Sequence, residues 1–114
     1  MCKKYDKIIL QKIIRYCEQI EGTLDRFNRD KKSFCTDYVF FNACNMCVIQ
    51  IGELAANISD DFRETHTEIP WRQLRGLRNI YAHNYQGVDY DLAWDTLIDD
   101  LPQIKKECEK ILSN

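Results

Sequence analysis

The stretch from Ser33 to Ile58 constrains the fold most, because its apolar residues are distributed round every side of a helix. A helix that is apolar all round is buried all round, and a chain of 114 residues offers little material to surround it. We therefore predict a long helix over 33–58, with Ser33 as its N-cap, that contributes to the interface of a dimer. The alternative is a central helix within a monomer.

The rest of the chain shows the same helical periodicity and no strand-like alternation. Three further helical segments are predicted over residues 4–21, 60–66 and 90–112. Gly22 is expected to end or bend the first, Ser59 and Asp89 to cap the other two, and Pro102 to kink the last. Together with the motif helix described below, they predict a single all-α domain over residues 1–114, a bundle of four to five helices.

Composition limits where the chain acts and what it binds. The formal charge of −2 disfavours a dedicated nucleic-acid binder, so any contact with RNA must be local. Six cysteines without a secretory signal pattern predict reduced thiols and a cytoplasmic location. The apolar region is interrupted by polar residues, so we expect no membrane-spanning helix and no membrane partner.

Two of the cysteines, Cys44 and Cys47, form a C-x-x-C pair in the middle of the apolar helix. A zinc site needs a second pair of ligands, and none follows at a suitable spacing. The favoured interpretation is a pair of small buried hydrophobic residues, and we expect neither a metal nor a cofactor.

A further helix is predicted in the segment 69–85, with Pro70 at its first position. Its apolar residues recur at helical spacing: Leu74, Leu77 and Tyr81. At about 100° per residue, a second set falls within roughly 80° of one another on the opposite side. That set is Arg72, Arg75, Asn79 and His83. The plain interpretation is a solvated basic face.

The chemical interpretation is a site that holds a phosphate and moves a proton, because guanidinium groups and an imidazole lie on one surface. Asn79 lies four residues before His83 and can fix the orientation of its ring. Arg78 and His83 project about 140° apart, so either the helix ends near His83 or a second protomer completes the site. No carboxylate pair accompanies the motif, which disfavours a metal nuclease.

The segment Arg78–Tyr85 resembles the Arg-x4-His-x-Tyr motif of HEPN-domain ribonucleases, and the chain is most similar to HepT, the toxin of HepT–MntA toxin–antitoxin pairs. The similarity covers most of the chain, and one departure is Arg75, where a small or aliphatic residue is expected. Further segments match the family pattern: Ile51–Glu53, Ile69–Trp71, Gly76–Asn79, Val88–Asp89, Trp94–Asp95 and Asp100–Pro102.

This resemblance implies a HEPN homodimer that cleaves RNA without a metal, in a type VII toxin–antitoxin module. It assigns catalysis to Arg78 and His83, supported by Asn79, at a cleft between protomers; Arg72 and Arg75 are candidate contacts to RNA phosphates. It also implies that an MntA-like nucleotidyltransferase neutralises the toxin by AMPylation of Tyr85, although packing is the simpler role for this tyrosine. The alternative is a non-catalytic HEPN module that binds or assists a nucleotidyltransferase. Whether the RNA is tRNA or mRNA is left open.

Overall fold

The computed structural model describes residues 4–83 and 89–113, with the backbone alone for residues 78–83. These residues form helices joined by short turns, and the described part of the chain contains no strand. The elements are α1 (Lys4–Arg26), α2 (Lys31–Thr36), α3 (Tyr38–Ala56), α4 (Asp60–Thr65), α5 (Trp71–His83), α6 (Tyr90–Asp95), a π-helical turn (Thr96–Asp100) and α7 (Leu101–Leu112).

Helix α3 lies at the centre of the bundle, packed against α1 on one side and α5 on the other, while α7 packs against α1. The core between these helices consists of aliphatic side chains, cysteines and a group of aromatic rings. Phe34 and Phe40 lie within this group, and both are fully buried. The predicted all-α bundle is therefore confirmed.

Of the two outcomes expected at Gly22, an end or a bend of the first helix, the first is wrong, because α1 continues beyond it for another turn. Ile20 and Leu24 on either side of it are buried in the core. A glycine inside a helix costs about 1 kcal/mol relative to alanine, whereas burying one such aliphatic side chain contributes about 1.5–3 kcal/mol. The helix ends where Asn28 and Arg29 adopt left-handed backbone angles, with φ of 59° and 52°.

The predicted helix over 33–58 is in fact two helices, so the prediction that Ser33 is its N-cap is wrong. Ser33 lies inside α2, and its hydroxyl donates to Asp30 Oδ2 over 2.8 Å. Asp30 is the N-cap of α2, and Asp37 is the N-cap of α3, accepting from Val39 N–H over 2.9 Å. Aspartate side chains that bond nearby backbone N–H groups compete with helix continuation, and Asp37 interrupts the helix for this reason.

Helix α3 is not buried on all sides within one protomer. Val39 and Met46 remain 54% and 47% exposed, while Cys44, Val48 and Ile51 are buried. By length and composition alone, α3 could cross a membrane. Half of its apolar window is buried inside the bundle, as in the core helix of a soluble protein, which passes the same test.

The two short connections that the sequence predicted have the expected caps. Ser59 Oγ accepts from Phe62 N–H over 3.3 Å at the start of α4, and Asp89 Oδ1 accepts from Asp91 N–H over 3.0 Å at the start of α6. Just before Pro102, where a kink was expected, the structure has a π-helical turn in which Leu101 N–H bonds to Thr96 O, five residues back. Proline has no N–H to donate, and π-turns accommodate such interruptions.

Candidate active site

The start of α5 is fixed by Trp71, which is buried. Its Nε1–H donates to the backbone oxygen of His66 over 2.9 Å, and its ring meets Phe62 edge-on at 6.1 Å between centroids. Leu74 N–H donates to Pro70 O over 3.0 Å. Pro70 therefore precedes the helix by one residue, which corrects the prediction that it occupies the first helical position.

One face of α5 packs into the core, as its spacing predicted. Leu74 is buried and Leu77 is half-buried against the core cluster. The predicted burial of Tyr81 concerns a side chain that lies outside the described residues. The orientation of α5 is thus set by Trp71 and Leu74 in its first turns.

Arg72 and Arg75 are both exposed on α5, one turn apart. Side chains three residues apart on a helix are neighbours, so the two guanidinium groups form one cationic patch. Exposed arginines can accept a phosphate in their donor fork without a large desolvation cost. Their role as RNA phosphate contacts remains a prediction.

The predicted catalytic side chains, Arg78, Asn79 and His83, lie outside the described residues, as does Tyr85. The backbone of α5 is helical from residue 78 to its last residue, His83. At about 100° per residue, positions 78 and 83 are therefore about 140° apart round the helix. Position 79 falls one turn after Arg75, so the exposed cationic patch lies directly before it.

The second histidine, His66, lies in the cap region of α4. It is the C-cap of α4, and its backbone N–H donates to Phe62 O over 2.9 Å. Its Nδ1 lies 3.1 Å from Glu68 Oε1, and its ring lies against Phe62 at 4.3 Å between centroids. These contacts account for His66 as a structural residue at the entrance to α5.

The C-x-x-C cysteines are buried in the bundle, in agreement with a packing role. Burial raises the pKa of Cys44 to about 12, and it raises the pKa of Cys47 as well. The thiolate is the form that binds metals and reacts, so these thiols are poor ligands. Within residues 4–83 and 89–113, no three His, Cys, Asp or Glu side chains are grouped so that they could hold a metal ion.

Sequence reasoning missed one feature beside the candidate site, an open groove between α5 and the α6–α7 stretch. Its volume is about 880 Å³, and its lining combines leucines with the carboxylates Glu68, Asp99, Asp100 and Glu107. The available signal was the acidic pair Asp99–Asp100 directly before the apolar residues of α7.

Comparison with known proteins identifies the family of the chain. The family model described as Ribonuclease HepT-like matches residues 13–111. A Methanocaldococcus jannaschii protein named as a candidate RNase is 34% identical over 114 residues, covering all of this chain and 93% of the relative. A similarly named protein of Caldanaerobacter subterraneus subsp. tengcongensis is 30% identical over 110 residues, covering 96% of this chain and 93% of the relative.

A third relative carries the family name itself. It is the probable ribonuclease HepT of Thermococcus cleftensis, 33% identical over 101 residues, covering 84% of this chain and 92% of the relative. No solved structure matches the chain. The family match spans most of the bundle, including all of α5, and the chain therefore belongs to the HepT-like ribonuclease family.

Proposed function

We propose that this chain is the ribonuclease toxin of a type VII, HepT–MntA-like toxin–antitoxin module, which acts in the cytoplasm on tRNA or mRNA. Membership of the HepT-like ribonuclease family supports ribonuclease activity and RNA as the substrate. The finer proposal rests on the Arg-x4-His-x-Tyr pattern of residues 78–85, and the exposed pair Arg72 and Arg75 directly before it on one helix supports contact with RNA. The net charge of −2 makes this local cationic surface necessary for contact with RNA.

The proposed chemistry needs no metal. A ribose 2′-OH attacks the adjacent phosphorus and loses its proton, and the leaving 5′ oxygen gains one. His83 carries protons near pH 7, and Arg78 stabilises the charge that develops on the phosphoryl oxygens. Asn79, one turn before His83, orients the imidazole. DNA is not a substrate because it lacks the 2′-OH.

A second protomer completes the site in this proposal. Positions 78 and 83 are about 140° apart on α5, so one straight helix does not direct both groups at one phosphate. Two copies of α5 facing each other bring Arg78 of one protomer near His83 of the other. The exposed apolar side chains Val39 and Met46 on α3 support such an interface, since α3 packs beside α5.

Regulation follows from the motif tyrosine. We propose that a nucleotidyltransferase antitoxin transfers AMP from ATP to the Tyr85 hydroxyl, releasing pyrophosphate. The added phosphate places negative charge beside Arg78 and His83, where the phosphate of the RNA must bind. The modified toxin is therefore inactive.

The test is expression of the chain alone beside His83→Ala and Arg78→Ala, scoring growth and RNA integrity, with purified proteins assayed in EDTA. Each substitution is expected to reduce cleavage by about 10²–10⁴-fold. His66→Ala is the matched control, because His66 is the only other histidine in the chain. Full toxicity of either motif variant contradicts the mechanism. A parent chain that is harmless and does not cleave RNA favours the non-catalytic HEPN module.

A further inference from the structure

The bundle is open on one side, where the groove separates α5 from the α6–α7 stretch. Its floor is apolar, formed by Leu74 and Leu77 of α5 with Leu101 and Ile104 of α7. Leu92 lies at its edge and is 55% exposed. Apolar surface of this kind in a groove of about 880 Å³ suits the side chains of a helix.

The rim of the groove is acidic. Glu68, Asp99, Asp100 and Glu107 line it, and none of the described lining residues is a lysine or arginine. Desolvation, with the nearby charges of Asp99 and Asp95, raises the pKa of Asp100. The crowded carboxylates repel phosphate and favour a cationic occupant, which excludes RNA.

The groove also lies away from the cationic patch of α5. Leu77 faces the groove, and Arg75 lies two positions earlier, about 160° round the helix. The acidic rim, which comes from residues outside α5, and the cationic patch therefore lie on opposite sides of this helix.

A surface complementary to the groove exists on the same chain, in the first half of α1. Tyr5 and Ile8 are exposed there, at 61% and 38%. With Lys4, Lys12 and Arg15, all exposed, they occupy one outer face of α1 within about 100°. We call these five residues the α1 stripe.

The charged residues of the α1 stripe form no ion pair with the part of the chain that the structure describes. Among the described residues, neither Lys12 nor Arg15 forms an ion pair, and no ion pair neutralises Asp99 or Asp100. The one acidic residue of the sequence between Lys4 and Arg15 is Asp6, which is buried and hydrogen-bonded to Ser59. The α1 stripe thus combines unpaired cations with exposed apolar side chains. It is complementary to the groove, which has an acidic rim and an apolar floor.

We propose that the groove between α5 and α6–α7 receives the α1 stripe of a second copy of this chain. Tyr5 and Ile8 lie on the leucine floor, and the lysines and Arg15 meet the rim carboxylates. The two surfaces differ, so the contact is heterologous and joins chains in rings or rows. It uses neither Val39 and Met46 of α3 nor the cationic patch, and it does not depend on the ribonuclease activity.

The experiment is charge reversal of each surface and then of both, in the full chain, with mass measured by light scattering and sedimentation. The parent is expected to form assemblies larger than a dimer as its concentration rises to about 0.5 mM. Lys12→Glu/Arg15→Glu and Asp99→Lys/Glu107→Lys are each expected to weaken that association by at least about tenfold. An equimolar mixture of the two variants, and a chain carrying all four substitutions, are expected to regain it, because the reversed surfaces are again complementary.

Two controls change net charge equally on other surfaces: Glu64→Lys/Glu109→Lys and Lys32→Glu/Lys110→Glu, all at exposed positions. They are expected to associate like the parent. A parent that never exceeds a dimer overturns the proposal, as does failure of the four-substitution chain to recover. If the chains still associate after the charges of the groove are reversed, the groove does not bind the α1 stripe and is available to another protein. That result also overturns the proposal. If reversing the charges of the α1 stripe abolishes RNA binding but leaves association intact, the stripe binds RNA and the proposal is wrong.

Discussion

The carboxylate of Asp6 holds Ser59 by two hydrogen bonds across 53 positions of the chain. Ser59 N–H donates to Oδ1 over 2.9 Å, and Ser59 Oγ–H donates to Oδ2 over 2.7 Å, with Asp6 only 1% exposed. The same Oγ accepts from Phe62 N–H and so caps α4. Asp6 thereby ties the start of α1 to the short helix against which Trp71 packs.

Replacing Asp6 is expected to destabilise the protein more than a surface change. Asp6→Ala leaves two partly buried donors of Ser59 without their acceptor, which costs about 1–3 kcal/mol of the free energy of unfolding. Asp6→Asn retains one acceptor and should fall between this variant and the parent. Urea denaturation followed by circular dichroism measures the difference. Glu64→Ala, on the exposed side of α4, is the control. If Asp6→Ala lowers the free energy of unfolding by no more than Glu64→Ala does, the structural role assigned to Asp6 is wrong.

The cationic patch of α5 is expected to set the salt dependence of RNA binding. In a His83→Ala background that prevents cleavage, Arg72→Ala and Arg75→Ala should each weaken binding of a labelled single-stranded RNA. Each lost phosphate contact lowers the slope of log K against log salt by about 0.7. Fluorescence anisotropy at several salt concentrations measures it, with Lys110→Ala on α7 as the control. An unchanged slope in both arginine variants places the RNA elsewhere.

Tyr85 is expected to be the residue that the antitoxin modifies. After incubation with the cognate nucleotidyltransferase and ATP, the parent should gain the mass of AMP at Tyr85, and Tyr85→Phe should not. The phenylalanine keeps the ring and removes only the hydroxyl acceptor, so the variant should fold and remain toxic beside the antitoxin. Tyr81→Phe is the matched control and should behave like the parent. Modification at another residue, or neutralisation without a mass change, contradicts the prediction.

Removing the charge of Asp100 from the acidic rim is expected to stabilise the folded state by an amount that depends on pH. Desolvation raises the folded-state pKa of Asp100 above its ordinary value, and Asp99 and Asp95 add to the effect. The protonated carboxyl therefore favours the folded state. This contribution is present below the ordinary pKa of about 3.9 and is lost as the pH rises through the folded value.

At pH 7 the charged Asp100 opposes folding. Asp100→Asn should raise the melting temperature by about 1–3 °C there, a small gain because Asp100 is exposed and screened by solvent. The gain should become small near pH 3.5, below the ordinary pKa, where Asp100 is largely protonated in both the folded and the unfolded state. Differential scanning calorimetry at the two pH values tests it against Glu64→Gln. A gain that is equal at both values rules out the electrostatic cause.

Local signals in the sequence were reliable where one residue decides the structure. Ser59 and Asp89 were predicted as caps because their side chains satisfy N–H groups at the start of a helix, and both do so. Ser33 offered the same signal, but Asp30 and Asp37 each lie closer to a helix start, and each accepts from a backbone N–H group. Burial of Ile20 and Leu24 overrides the weak helix propensity of Gly22.

The candidate site was accessible to sequence reasoning only in part. Periodicity predicted the buried Leu74 and the opposite, exposed Arg72 and Arg75. It did not predict the groove, because Leu77 and Ile104 meet there only through the packing of separate helices. Hydrophobic spacing specifies which face of a helix is covered, but not which neighbouring helix covers it or how completely.

The packing of α5 mainly against α3 affects how proteins of this kind diverge. Only the face that holds Trp71 and Leu74 is committed to the core, so Arg72, Gln73 and Arg75 are free of packing constraints. Substitutions at such exposed positions usually change stability by no more than about 0.5 kcal/mol. The exposed side of this helix can therefore change its charge and shape in related proteins without a change in the bundle that α1, α3 and α7 form.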